Sequence, residues 1–112
     1  MDISKTSQIA TEILQQLGNG RFKVMTGAKH FSAMSTKQGV EGGLSFRLPG
    51  AGGFCKDGIN YVAIELTPMD EYVMTFCRIR GGDCKTISMF RGIQVDTLRS
   101  TFSEATGLAV SL

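Results

Sequence analysis

Apolar residues recur with two different periods along this chain. Ile9, Ile13 and Leu17 lie four apart, with Ala10 and Leu14 on the adjacent ridge, which predicts an N-terminal helix with one apolar stripe. Asp2, Ser4 and Thr6 are candidate caps, and Gly18 before Asn19-Gly20 is a left-handed stop. Gln8, Thr11, Glu12, Gln15 and Gln16 give that helix a polar outer face, as suits a surface helix covering a sheet. After the stop the period changes. Phe22 and Val24 alternate with Arg21 and Lys23, which predicts a strand. Residues 28–34 fit a strand or a short helix equally well. Leu44, Phe46 and Leu48 then alternate with Ser45 and Arg47, and Pro49 ends that ladder because it carries no N–H.

A hairpin is the clearest expectation, over residues 59–80. Pro68-Met69-Asp70-Glu71 reads as a four-residue turn, with proline pre-set for its backbone angle. Thr67 then pairs with Tyr72, which sets Leu66 opposite Val73, Ile64 opposite Thr75 and Val62 opposite Cys77, with Ile79 on the same face. The other face aligns Tyr61 with Arg78, Ala63 with Phe76 and Glu65 with Met74, and Arg80 continues it beside Ile59. Gly81-Gly82-Asp83 turns the chain into a further strand over residues 84–90.

Helical spacing returns at Val95, Leu98, Phe102 and Ala105, with Asp96 as the expected N-cap and Gly107 as the stop. The apolar tail at residues 108–112 is expected to pack down. No internal repeat or low-complexity linker is visible, so the 112 residues read as a single domain, residues 1–112. The fold class is α+β: an N-terminal helix, an antiparallel meander of four to five strands, and a C-terminal helix packed on the sheet.

Composition narrows the picture. Apolar residues at 42% and charged residues at 20% are globular proportions, and a net charge of +2 excludes a strongly cationic nucleic-acid coat. Fourteen glycines exceed the roughly eight that average usage gives. They concentrate at residues 39–43 and 50–53. Cys55, Cys77 and Cys84 cannot all pair within one chain and form no C-x-x-C, so reduced thiols are expected. The N-terminus lacks a secretion signal and no apolar run approaches the roughly 20 residues of a membrane span. A cytoplasmic location and no membrane association are the resulting expectations.

Catalytic chemistry finds few candidates. His30 is the lone histidine, no G-x-S-x-G surrounds a serine, and Asp70 and Glu71 adjoin on a turn where carboxylates diverge. No metal-ligand spacing occurs, and no cofactor motif is complete. The glycine-rich run from Pro49 to Phe54 lacks the Lys-Ser/Thr of a phosphate loop and joins strands rather than a strand and a helix. No enzymatic activity, metal or cofactor is expected.

The back face of the hairpin is the candidate binding surface. Tyr61, Phe76, Arg78 and Arg80, joined by Arg47 from the neighbouring strand and extended by Lys85 and Arg91, combine cations with aromatic surface. Single-stranded nucleic acid takes that mixture, phosphates on the cations and bases stacked on the rings. A helix laid over this face would instead make Phe76 and Met74 core and leave the arginines at its rim. The same residue types also suit a protein interface.

The segments F-K-V-M-T-G-A-K-H-F at 22–31, L-S-F-R-L-P at 44–49, G-I-N-Y-V-A-I-E-L-T-P at 58–68, residues 72–81 and the final D-x-L-x-x-x-F-x-x-x-T-G-L from Asp96 resemble small proteins encoded by bacteriophages and mobile elements. The chain departs from that pattern by apparent insertions at residues 39–43 and 50–53. The resemblance implies a setting in a bacterial host cell and brings no site residues. It favours a non-enzymatic accessory protein that binds single-stranded nucleic acid or a nucleoprotein. The alternative is an anti-defence, anti-CRISPR-like inhibitor masking a host defence protein. A homodimer is compatible with either.

Overall fold

Gly18 stops the first helix with a φ of 126°, but the chain then enters a second helix rather than a strand. The computed structural model describes residues 3–49 and 58–108, with side chains from Ser7 onward. Here α1 spans Ile3–Leu17 and α2 spans Asn19–Thr26. Phe22 is fully buried while Val24 is 85% exposed, so the alternation at residues 21–24 masks a helical spacing from Phe22 to Thr26. Gly27 ends α2 in the left-handed region, and its N–H donates to the Lys23 carbonyl. The candidate caps Asp2, Ser4 and Thr6, the glycine run at residues 50–53, Cys55, Lys56 and residues 109–112 lie outside the described side chains.

Five strands come next: β1 (Lys29–Met34), β2 (Gly42–Arg47), β3 (Tyr61–Leu66), β4 (Tyr72–Arg80) and β5 (Asp83–Ile93). They pair antiparallel in chain order, one meander sheet. A 3-10 turn at Val95–Thr97 leads into α3 (Leu98–Thr106). The architecture is the expected α+β, with residues 28–34 resolved largely as a strand. Asp96 does not cap the last helix: it sits inside the 3-10 turn, α3 begins two residues later, and no side chain makes a capping hydrogen bond there. Gly107 does stop the helix, with a φ of 78°.

The β3–β4 hairpin departs from its expected register by one residue. Leu66 faces Tyr72, Ile64 faces Met74 and Val62 faces Phe76. The cause is the turn. The Asp70 N–H donates to the Thr67 carbonyl, and Asp70 itself takes the left-handed conformation, with a φ of 61°. The Thr67 N–H donates to Glu71, so the loop is the three residues Pro68-Met69-Asp70 rather than four. A slip of one flips every side chain on one strand to the other face. Met74 and Phe76 therefore enter the core instead of the outer surface, and Val73, Thr75, Cys77 and Ile79 face outward.

All packing of helix on sheet is on one side, with α1 across β1 and β2 and α3 at the far end of β5. Phe22, Phe46, Phe76 and Phe102 are fully buried there, in ring contacts of 5.1–6.2 Å. Burying each such side chain contributes about 1.5–3 kcal/mol. Leu98, Met74, Ile64 and Ile13 complete the layer. No described helix is long and apolar enough to cross a membrane.

Candidate nucleic-acid interface

The second side of the sheet carries no helix among the described residues, and the strand register arranges it in rows. The middle row runs Ser32, Ser45, Ala63, Thr75, Met89. The next row toward the β3 N-terminus runs Lys29, Arg47, Tyr61, Cys77, Thr86. Small side chains make the centre of this face shallow, and cations gather at one end of it.

A β-bulge builds that end. Lys29 pairs with Arg47 and Ser32 with Ser45, so β1 supplies His30 and Phe31 opposite the single Phe46 of β2. The extra residue turns Phe31 inward, its ring 5.2 Å from that of Phe46. His30 adopts a φ of 59° and stays exposed. Lys29, His30, Ser32, Ser45, Arg47, Asn60 and Tyr61 thereby line an open cleft of about 730 Å³, together with Leu48 and Pro49.

Asn60 holds the adjoining rung. Its Nδ2 donates to the Ile79 carbonyl at 2.9 Å, and its Oδ1 accepts from the Ile79 N–H at 2.8 Å. The side chain thus continues the ladder where the backbone leaves it, with Gly58 at a φ of 71° just before.

A second cleft, of about 620 Å³, opens at the β4–β5 hairpin tip between Arg78, Arg80, Asp83, Cys84, Lys85 and Thr86. This tip lies at the same end of the sheet as Arg47 and Tyr61, because β3 and β4 pair from Tyr61 to Cys77. Arg78 and Arg80, however, alternate with Cys77 and Ile79, so they point to the helix-bearing side while Arg47 and Tyr61 point to the open side.

Two cross-strand pairs at this end join like charges. Lys29 stands directly opposite Arg47, and Arg78 directly opposite Lys85. Neither pair is neutralised by an ion pair with a described residue. The ion pair found among the described residues, Lys37 to Glu65 at 3.1 Å, lies at the opposite end, near Glu41, Asp70 and Glu71. Like charges set opposite each other in a sheet oppose folding. Cations outnumber carboxylates at the first end, where Asp83 stands opposite Arg80, and carboxylates outnumber cations at the other, which holds Lys37 and Arg91.

Of the residues expected at the site, the structure brings Arg47 and Tyr61 together on the open side and Arg78, Arg80 and Lys85 together at the hairpin tip. It removes Phe76 from the surface altogether, because the register slip buries it among the phenylalanines. It also separates Arg91, which lies toward the acidic end, near Ile93 and Tyr72. Sequence reasoning missed Lys29 and His30 as members of the site. Their signal was the break in alternation at residues 28–34, which is what a bulge leaves in a sequence.

Among the described residues no three His, Cys, Asp or Glu side chains gather as a metal site. Among the described residues two groups shift from their ordinary behaviour, both upward. Burial raises Tyr72, whose hydroxyl donates to Gln16 Oε1 at 2.8 Å, and Glu12 and Asp70 add to the effect. Burial likewise raises the Cys77 thiol. Comparison with known proteins finds no match to a family model, a curated protein or a solved structure.

Proposed function

We propose that this protein binds single-stranded nucleic acid along the basic end of its sheet, as a non-enzymatic accessory protein of a bacteriophage or mobile element. The carrying observation is the two like-charged cross-strand pairs, Lys29–Arg47 and Arg78–Lys85. The two pairs face opposite sides of the sheet, so a polyanion wrapped round this end, from the open side to the hairpin tip, supplies counter-charge to both and turns two unfavourable contacts into favourable ones. Tyr61, half-buried in the wall of the first cleft, offers a ring for one base, worth about 1–3 kcal/mol. With a net charge of only +2, affinity rests on this local patch and is expected to be micromolar or weaker.

Fluorescence anisotropy with a short labelled single-stranded oligonucleotide tests this reading. Four phosphate contacts predict a log–log salt slope of about −3, and Arg47→Ala or Arg78→Ala should each reduce its magnitude by about 0.7. Absence of binding at low salt would overturn it.

The anti-defence alternative draws on the apolar part of the same open face, where Met89 is 47% exposed beside Thr75. A nuclease-treated pull-down from host lysate that returns one defence protein, lost on Met89→Asp, would favour that reading instead.

A further inference from the structure

Cys77 and Cys84 stand on adjacent strands and on the same face. Cys77 pairs with Thr86 and Ile79 with Cys84, which makes the cysteines diagonal neighbours across the β4–β5 ladder. The right-handed twist of a hairpin draws such a diagonal together. Cys77 Sγ is 4.0 Å from Thr86 Oγ1, and Thr86 stands two residues along β5 from Cys84. Both cysteines are free thiols, one buried and one exposed.

We propose that this pair is a thiol modification site for hydroperoxides, with Cys84 the peroxide-reactive residue and Cys77 the resolving one. The sulfur of Cys84, as thiolate, attacks a peroxide oxygen. The O–O bond breaks, and the leaving hydroxide or alkoxide takes up a proton. Cys84 is then a sulfenic acid. Cys77 sulfur attacks Cys84 sulfur, the S–O bond breaks, and the departing hydroxide leaves as water with the Cys77 thiol proton. Two thiols and one hydroperoxide yield one disulfide, one water and one alcohol, or a second water where the oxidant is hydrogen peroxide.

The division of labour comes from burial. Cys84 opens into the hairpin-tip cleft, where a small peroxide can reach it. Cys77 is only 5% exposed and reacts with what its neighbour has become. The bond requires the two Cα atoms within about 6.8 Å, closer than the roughly 7–8 Å of a flat diagonal.

Peptide mass mapping of the Cys55→Ser protein after hydrogen peroxide treatment tests the assignment. The expected product is a monomer in which the tryptic peptides carrying Cys77 and Cys84 are linked, and dithiothreitol reverses the link. In Cys77→Ser, Cys84 should accumulate as a sulfenic acid trapped by dimedone. In Cys84→Ser, Cys77 should remain an alkylatable thiol after unfolding. A protein that stays fully reduced, carries Cys84 as a sulfinic acid beside a free Cys77, or forms only intermolecular dimers overturns the proposal.

Discussion

The rings of Phe22 and Phe102 meet edge to face with centroids 5.1 Å apart, and each begins the same local device. Four residues on, Thr26 donates its hydroxyl to the Phe22 carbonyl at 2.7 Å and accepts from the Ala28 N–H at 3.1 Å. Thr106 donates to the Phe102 carbonyl at 2.8 Å and accepts from the Leu108 N–H at 3.2 Å. A left-handed glycine comes directly after each threonine. The pattern F-x-x-x-T-G occurs twice in the sequence, at residues 22–27 and 102–107, and ends two helices in the same way.

The buried hydroxyl satisfies backbone groups that a methyl cannot. Thr106→Val, at a site with no solvent exposure, is expected to cost about 1–3 kcal/mol. Phe102→Ala should cost about 3–5 kcal/mol. A double-mutant cycle between Phe22 and Phe102 should show coupling of about 0.5–1.5 kcal/mol, read from urea denaturation.

Stability and binding should oppose each other at the basic end. Lys85→Glu places an opposite charge across from Arg78 and is expected to stabilise the fold by a few tenths of a kcal/mol. The same change should weaken oligonucleotide binding. Thermal melts and anisotropy on one preparation check both signs, and a rise in both quantities would contradict the polyanion reading.

Tyr72 sets an alkaline limit. Its folded pKa lies above the ordinary value of 10.0, so its contribution is complete below that value and is lost as pH rises through the folded one. Cys77, raised from 9.0, acts in the same direction. Melting temperature should therefore fall at alkaline pH. Tyr72→Phe should melt lower at neutral pH, having lost its bond to Gln16, and show a flatter alkaline decline.

Two glycines are expected to respond oppositely to alanine. A Cβ at Gly43 would overlap the Ile64 carbonyl oxygen, so Gly43→Ala must displace the β2–β3 backbone and should destabilise by about 1–3 kcal/mol or more. Gly20, inside α2, meets nothing within 4 Å, and Gly20→Ala should stabilise by about 0.5–1 kcal/mol. Denaturant midpoints distinguish them.

What the sequence made legible was local and periodic. The α1 stripe, the inward Leu44, Phe46 and Leu48, and the stop at Gly107 each rest on spacing plus one adjacent breaker. Phe22 and Val24 defeated that approach because two apolar residues in four positions fit either period, and Val24 points into water. The hairpin register turned on whether Asp70 would accept a left-handed backbone, which no periodicity encodes. That one angle decided whether Phe76 was surface or core. The basic cleft depended on a bulge that periodicity reads as noise.

The order of strands in the sheet also bears on how the chain finds its fold. Every strand pairs only with its chain neighbours, so the sheet can grow rung by rung, with each step closing a loop between consecutive elements. Such local closure favours fast folding for a sheet-rich protein. The contacts of longest sequence separation, those of α1 and α2 with α3, then seal the phenylalanine layer last. Changes in that layer should appear mainly in the unfolding rate, and changes in the β3–β4 turn mainly in the folding rate.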